Sequence, residues 1–122
     1  MRYLVPLHIA VFVGGLVFGA LCATAGADEG KDLFEKRCTG CHSLDTAKEG
    51  PRLRGVYGRR AGRSPDFPYS DALKAAQFTW DETTLDKWLT DTEALVAGND
   101  MAFRVSNKDE RAKIIAYLKE LK

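Results

Sequence analysis

Two cysteines and a histidine stand together at Cys38-Thr39-Gly40-Cys41-His42. Two thiols three residues apart, near a helix end, fall on one side of the chain and can reach one bound group. The imidazole that follows can turn under that group and offer a nitrogen to a metal. This C-x-x-C-H spacing is the attachment signature of a c-type haem, with thioethers to the two vinyl groups and the imidazole on iron. Three other chemistries use similar residues. A thioredoxin-like pair also has C-x-x-C, but it expects a βαβ context. A zinc centre needs four ligands. A plain disulfide needs only the two cysteines.

The rest of the chain narrows these choices. Arg2 supplies a positive start, an apolar run follows from Ile9 to Leu21, and Ala25-Gly26-Ala27 offers small residues at the spacing a signal peptidase reads. Residues 1–27 therefore read as a cleaved secretory leader. The apolar run is near the short end for a bilayer span, which disfavours an uncleaved anchor. A lipoprotein site at Cys22 would need a small residue before it, and Leu21 is not small. Cleavage removes Cys22, His8 and Met1 and leaves the 95 residues from Asp28 to Lys122. In that span Cys38, Cys41, His42 and Met101 are the only sulfur and imidazole groups. Three such ligands plus a soft thioether make a poor zinc set. With Arg2 gone, 17 Lys and Arg face 17 Asp and Glu. A neutral chain lacks the basic face that nucleic acid requires.

A second axial ligand on iron can be sought by elimination. No second histidine remains to pair with His42. Met101 is the one methionine left, and it sits in a Gly98-Asn99-Asp100-Met101 loop rather than on a helical stripe. A lone methionine is often core filler. As a ligand it would raise the reduction potential and close the iron to small molecules. Lysine ligation or an open position are the alternatives.

Short helices must place these groups. Asp28 to Arg37 reads as a helix, acidic at its start and basic at its end. Gly30 inside it costs stability, and close crossing by another helix would account for it. Gly50 to Pro68 is loop, with glycines and prolines too close for regular elements, and with Arg52, Arg54, Arg59, Arg60 and Arg63. Ser70-Asp71 can cap a brief helix through Ala76. Asp81 to Thr90 is a clear helix, with Leu85, Trp88 and Leu89 on one face. Ala94 to Val105 is loop. Ser106, with Asp109 three residues on, opens a last helix that runs to the C-terminus with Ile114, Ile115, Leu118 and Leu121 as its apolar stripe. No strand pattern, repeat or low-complexity linker appears. The fold class is all-α, and loops this long in a small domain call for something that organises them. A bound apolar macrocycle would do so and would add buried surface to a thin core.

In order, Gly30 and Phe34, the C-x-x-C-H, Gly50-Pro51-Arg52-Leu53-Arg54-Gly55, Gly58-Arg59, Gly62, Tyr69-Ser70, Trp80, Gly98 before Met101, and Ala116-Tyr117-Leu118 resemble class I cytochromes c. The likeness is to the mitochondrial type and its close bacterial relatives, and it spans residues 28–122. The order excludes four-helix-bundle cytochromes, whose attachment motif lies near the C-terminus. The resemblance implies three or four short helices and long loops around one covalent haem. It implies thioethers at Cys38 and Cys41, with His42 and Met101 as axial iron ligands. It implies that the Pro51 carbonyl accepts from the His42 ring, and that Arg59, Tyr69 and Trp80 surround a haem propionate. It also implies that Gly30, Phe34 and Tyr117 form the contact between first and last helices. Arg52, Arg54, Arg60 and Arg63 are expected to be solvated. Trp88 stands where the family usually has a tyrosine directed at the methionine. Ala97 replaces a proline, Asn99 a threonine, and Glu93, Ala94 and Asp100 lie where mitochondrial members carry lysines.

The function implied is a monomeric periplasmic carrier of single electrons rather than an enzyme. Its partners would be redox proteins: a membrane oxidoreductase, a terminal oxidase or a periplasmic dehydrogenase. The alternative is a dedicated electron-accepting subunit of a dehydrogenase complex, which the neutral charge and altered haem edge leave open. A third possibility is a haem sensor or peroxidase-like protein with an open iron, which would bind carbon monoxide rapidly.

Overall fold

Two helices cross where a glycine lets them. The computed structural model describes residues 25–122, and in it α1 (Ala25–Arg37) packs on the last helix. A Cβ at Gly30 would run into the carbonyl oxygen of Lys113 and lie 3.0 Å from the Tyr117 Cβ. One turn on, Phe34 is 2% exposed and its ring meets that of Tyr117 at 5.4 Å. Burying such a ring contributes about 2 kcal/mol. Ion pairs Glu29–Lys113 and Arg37–Glu110 flank the crossing.

The remaining helices are α2 (Asp71–Ala75), α3 (Glu82–Thr90), α4 (Thr92–Leu95) and α5 (Lys108–Glu120). Among the described residues there is no strand, only an isolated bridge between Arg60 and Thr79. The all-α expectation holds. Of the leader expected over residues 1–27, residues 1–24 lie outside the described residues, with Arg2, His8 and Cys22. Ala25, Gly26 and Ala27 form the first turn of α1, which therefore starts three residues before Asp28.

The starts of α2, α3, α4 and α5 each have a local cause. Ser70 accepts from the Leu73 N–H at 3.2 Å and starts α2. Asp81 and Thr84 cap α3 reciprocally, each side chain accepting from the other's backbone N–H at 2.8 Å. Leu85, Trp88 and Leu89 are buried, as their spacing predicts. Two expectations need correction. The segment read as loop from Ala94 contains the end of α4, a single turn too short to show periodicity. Asp91 ends α3 and caps α4, accepting from Glu93 and Ala94 N–H at 3.1 and 3.3 Å. The cap of α5 is Asn107, not Ser106. Its amide oxygen accepts from Asp109 and Glu110 N–H at 2.9 and 3.2 Å. The Ser106 carbonyl is instead taken by Arg111 at 3.1 Å. Helix α5 stops at Glu120, and Leu121 is its C-cap.

The Gly50–Pro68 loop has no helix or strand, yet its backbone is paired. Leu53 and Arg54 N–H donate to Ser43 and Leu44, Gly55 to Leu121, and Gly58 and Ala61 to Trp80 and Phe78. Such pairing is what a partly buried loop requires. Its arginines are more engaged than expected. Arg54 holds Asp45 with two hydrogen bonds, at 2.6 and 3.2 Å, and Arg52 lies 3.5 Å from Asp66. Arg63 donates to the carbonyls of Gly62 and Lys74, and Arg60 is exposed. Among the described residues no helix is long and apolar enough to cross a membrane.

Candidate functional site

The C-x-x-C-H segment continues α1 as a turn. Cys38 N–H donates to Phe34, and the N–H groups of Cys41 and His42 both return to the Cys38 carbonyl, at 3.2 and 2.9 Å. The two thiols and the ring thereby line one cleft. Cys38 is half-buried, Cys41 is exposed, and the two are not joined to each other. Burial pushes the Cys38 thiol up to about 11, against the opposing charge of Arg37. Among the described residues no three His, Cys, Asp or Glu side chains converge on a metal site. With no strand among the described residues, the thioredoxin-like pair lacks its βαβ context.

His42 is 7% exposed, and its Nδ1 lies 2.8 Å from the Pro51 carbonyl oxygen. A carbonyl can only accept, so Nδ1 carries the proton and Nε2 keeps its lone pair. Burial holds the imidazole below its ordinary pKa, partly offset by the Pro51 hydrogen bond. The neutral ring is the form that binds metals. Gly50 lets the chain close on the ring edge. A Cβ there would lie 2.7 Å from Nδ1 and 2.9 Å from Nε2, and would strike Cε1.

One cleft receives every candidate ligand and haem-environment residue: Cys38, Cys41, His42, Pro51, Arg59, Tyr69, Trp80 and Met101 all line it. It encloses about 1120 Å³, counting its open mouth. Leu73, Leu85, Trp88, Leu89 and Val56 supply buried apolar wall. Trp80 meets Phe78 and Trp88 edge-on, at 4.9 and 5.3 Å between ring centres. Tyr69 Oη accepts from the Ser64 N–H at 3.2 Å, which leaves its own proton to donate. Arg59 donates to the carbonyls of Arg52 and Arg54 at 3.0 and 2.6 Å, and so braces the backbone just after Pro51. Glu49 and Asp100, both exposed, also line the cleft.

Met101 is carried by a loop that α4 anchors. Its N–H donates to Asn99 Oδ1 at 2.8 Å, and Asn99 Nδ2 donates to the Val96 carbonyl at 2.9 Å. The Glu93 carboxylate accepts from the Gly98 N–H at 3.0 and 3.1 Å. The buried Thr92 hydroxyl accepts from the Phe103 N–H at 3.2 Å. Arg111 is 8% exposed and binds Asp86 at 2.7 Å and the carbonyls of Val105 and Ser106 at 3.0 and 3.1 Å. Glu93 is exposed, as its sequence position implies, but its hold on the Gly98 N–H carries no mark in the sequence, which likewise assigns nothing to Thr92 or Arg111. An arginine inside the Ile114–Leu118 helix carries no mark of burial in its spacing, so no signal could have found it.

The donor set and the cavity fit a haem. The cleft is apolar and combines two thiols, a neutral imidazole of fixed tautomer and a thioether. Donors from Tyr69 and Arg59 stand at the same cleft, where an acidic group needs them.

Comparison with known proteins agrees. The family model described as Cytochrome c matches residues 27–122. The chain is 42% identical to cytochrome c2 of Rhodomicrobium vannielii over 117 residues, covering 92% of this chain and 93% of the relative. It is 43% identical to cytochrome c of Euglena viridis over 99 residues, covering 79% of this chain and 97% of the relative. The solved structure of cytochrome cH from Methylobacterium extorquens superposes with a TM-score of 0.72 at 39% identity, covering 76% of this chain and 96% of that one. An apolar cleft lined by Cys38, Cys41, His42 and Met101, an intact C-x-x-C-H and full-length relatives together place this chain in the cytochrome c family, whose members carry electrons on a covalently bound haem c.

Proposed function

We propose that the protein is a periplasmic single-electron carrier, exported by a leader over residues 1–27, with His42 and Met101 as the axial ligands of its iron. Haem c, when bound, supplies an iron that cycles between ferrous and ferric states. The observation that carries the reading is the paired geometry of His42. Its Nδ1–H is committed to Pro51, so Nε2 is the free donor, while the Met101 thioether is delivered to the same apolar cleft. The Pro51 carbonyl fixes the ring and makes it a stronger ligand. The apolar wall excludes water, and a thioether favours the reduced metal, so both raise the potential. Arg59 spends two of its five donors on carbonyls, and Tyr69 keeps its O–H, which supports their assignment with Trp80 to a haem propionate.

The test is the ferric absorption spectrum. The native protein shows the weak thioether-to-iron band near ~700 nm, and Met101→Ala loses it. The reduced native protein resists carbon monoxide, and the variant binds it. A native protein without the band, or one that binds carbon monoxide as fast as the variant, overturns the assignment.

A second reading is a dedicated electron-accepting subunit of a periplasmic dehydrogenase. Its support is the acidic rim, where exposed Glu49 and Asp100 line the cleft. Such a rim complements a basic docking face. Stable co-purification with a dehydrogenase favours this reading, and fast exchange with several oxidants and reductants favours the free carrier.

A further inference from the structure

We infer that Glu93 is a positioning residue for Met101, acting through Asn99; this rests on the axial-ligand reading above. The position of Glu93 in the chain suggests a surface charge facing a partner; the structure keeps it exposed but turns its carboxylate onto the methionine loop. Both carboxylate oxygens accept from the Gly98 N–H, at 3.0 and 3.1 Å, and one meets Asn99 Nδ2 at 3.4 Å. Asn99 passes the constraint on. Its Nδ2 is held by the Val96 carbonyl at 2.9 Å, and its Oδ1 accepts from the Met101 N–H at 2.8 Å. The sequence of contacts therefore runs from a carboxylate on α4, through one side-chain amide, to the backbone of the ligand residue.

The far side of the loop returns to the same helix turn. Phe103 N–H donates to Thr92 Oγ1 at 3.2 Å, so Met101 is held on both flanks by neighbouring residues of α4. Between these supports Ala102 has φ +25°, a conformation that side-chain-bearing residues rarely adopt. A strained residue next to the thioether persists only while its surroundings over-determine it. Glu93 supplies the charged part of that hold, and hydrogen bonds to an ionised acceptor are the stronger kind. Thr92 is buried, and its loss would disturb packing, whereas Glu93 is exposed and can be changed without opening a cavity.

Loosening the loop raises the fraction of ferric protein with the thioether off iron, and an external ligand then binds more tightly by that fraction. The test titrates the full-length holoprotein with imidazole and follows the ~700 nm band. Glu93→Ala raises the apparent imidazole affinity roughly tenfold, the equivalent of one charge-assisted hydrogen bond. Glu93→Gln keeps an oxygen for the Gly98 N–H and recovers most of the difference. In denaturant, Glu93→Ala loses the band well before its far-UV helical signal, and the native protein shows a narrower gap. Asn99→Ala repeats the test should Glu93→Ala give no holoprotein. Unchanged imidazole affinity overturns the inference. So does a band that falls together with helicity while Glu93→Gln behaves like Glu93→Ala. A native protein with no band overturns the axial reading itself, and this inference with it. A native band indifferent to Glu93 overturns this inference alone.

Discussion

The histidine and methionine sides of the cleft are built in different ways. His42 is set by contiguous backbone: a turn back to Cys38, a return through Gly50 to Cys41, and the Pro51 carbonyl on its ring. Met101 is set by side chains: Asn99 of its own loop, Glu93 and Thr92 of α4 and, at the loop's end, Arg111 of α5. The first side has little slack, because its contacts are van der Waals limits between backbone and ring. The second is a set of separable hydrogen bonds, each of modest net worth. A rigid histidine and an adjustable methionine give the protein one fixed and one tunable ligand.

The sharpest way to break this contrast is Gly50→Ala. Its Cβ would overlap the His42 ring, so the variant loses holoprotein yield and about 3 kcal/mol of stability in denaturant unfolding. A variant that stays near native stability would show that the histidine side has slack after all. Next comes Arg111→Met, which strands the Val105 and Ser106 carbonyls and returns the half-exposed Asp86 to water. It costs about 2 kcal/mol. Denaturant midpoints read the cost, and the ~700 nm band weakens before the helices melt. Thr92→Val removes only the acceptor for Phe103 N–H, for about 1 kcal/mol by the same measurement. Arg111→Met or Thr92→Val costing as much as Gly50→Ala would erase the distinction.

The smallest effect lies away from both ligands and concerns pH. The Thr84 backbone N–H, then its hydroxyl, holds the Asp81 carboxyl below its ordinary range. A depressed carboxylate contributes stability that is present above its unfolded pKa and is lost as pH falls through the folded one. Native stability therefore declines below about pH 4, and Asp81→Asn, which keeps a capping oxygen, flattens that decline slightly. Denaturant midpoints at neutral and acid pH check the slope. A steeper acid decline in the variant would contradict the capping account.

The same contrast explains what could be read in advance. Cys38, Cys41 and His42 announce themselves by spacing, Gly30 by its cost within a helix, and Leu85, Trp88 and Leu89 by periodicity. The order of scattered residues then pointed to Pro51, Arg59, Tyr69 and Trp80, and all four line the cleft. Helix α4 was not legible, because one turn has no period and Asp91 serves two helices at once. The α5 cap falls one residue beyond Ser106, at Asn107, because Ser and Asn cap equally well and the sequence does not choose between them. Glu93 and Arg111 gave no sign, because each acts on backbone that the fold brings near and spacing does not mark.

Arg111 has a consequence for how the molecule comes apart. One guanidinium ties α3, α5 and the end of the methionine loop, while the hydrogen bonds on either side of Met101 come from α4 and Asn99. Local opening begins where buried contacts are few. The loop can therefore let go of its cofactor face and re-form while the α1–α5 crossing stays closed, with Arg111 as the hinge pin that limits how far the opening spreads. Amide hydrogen exchange along the chain would register this as a fast-exchanging stretch ending sharply at Val105, whose N–H is held by Leu89 at 2.7 Å.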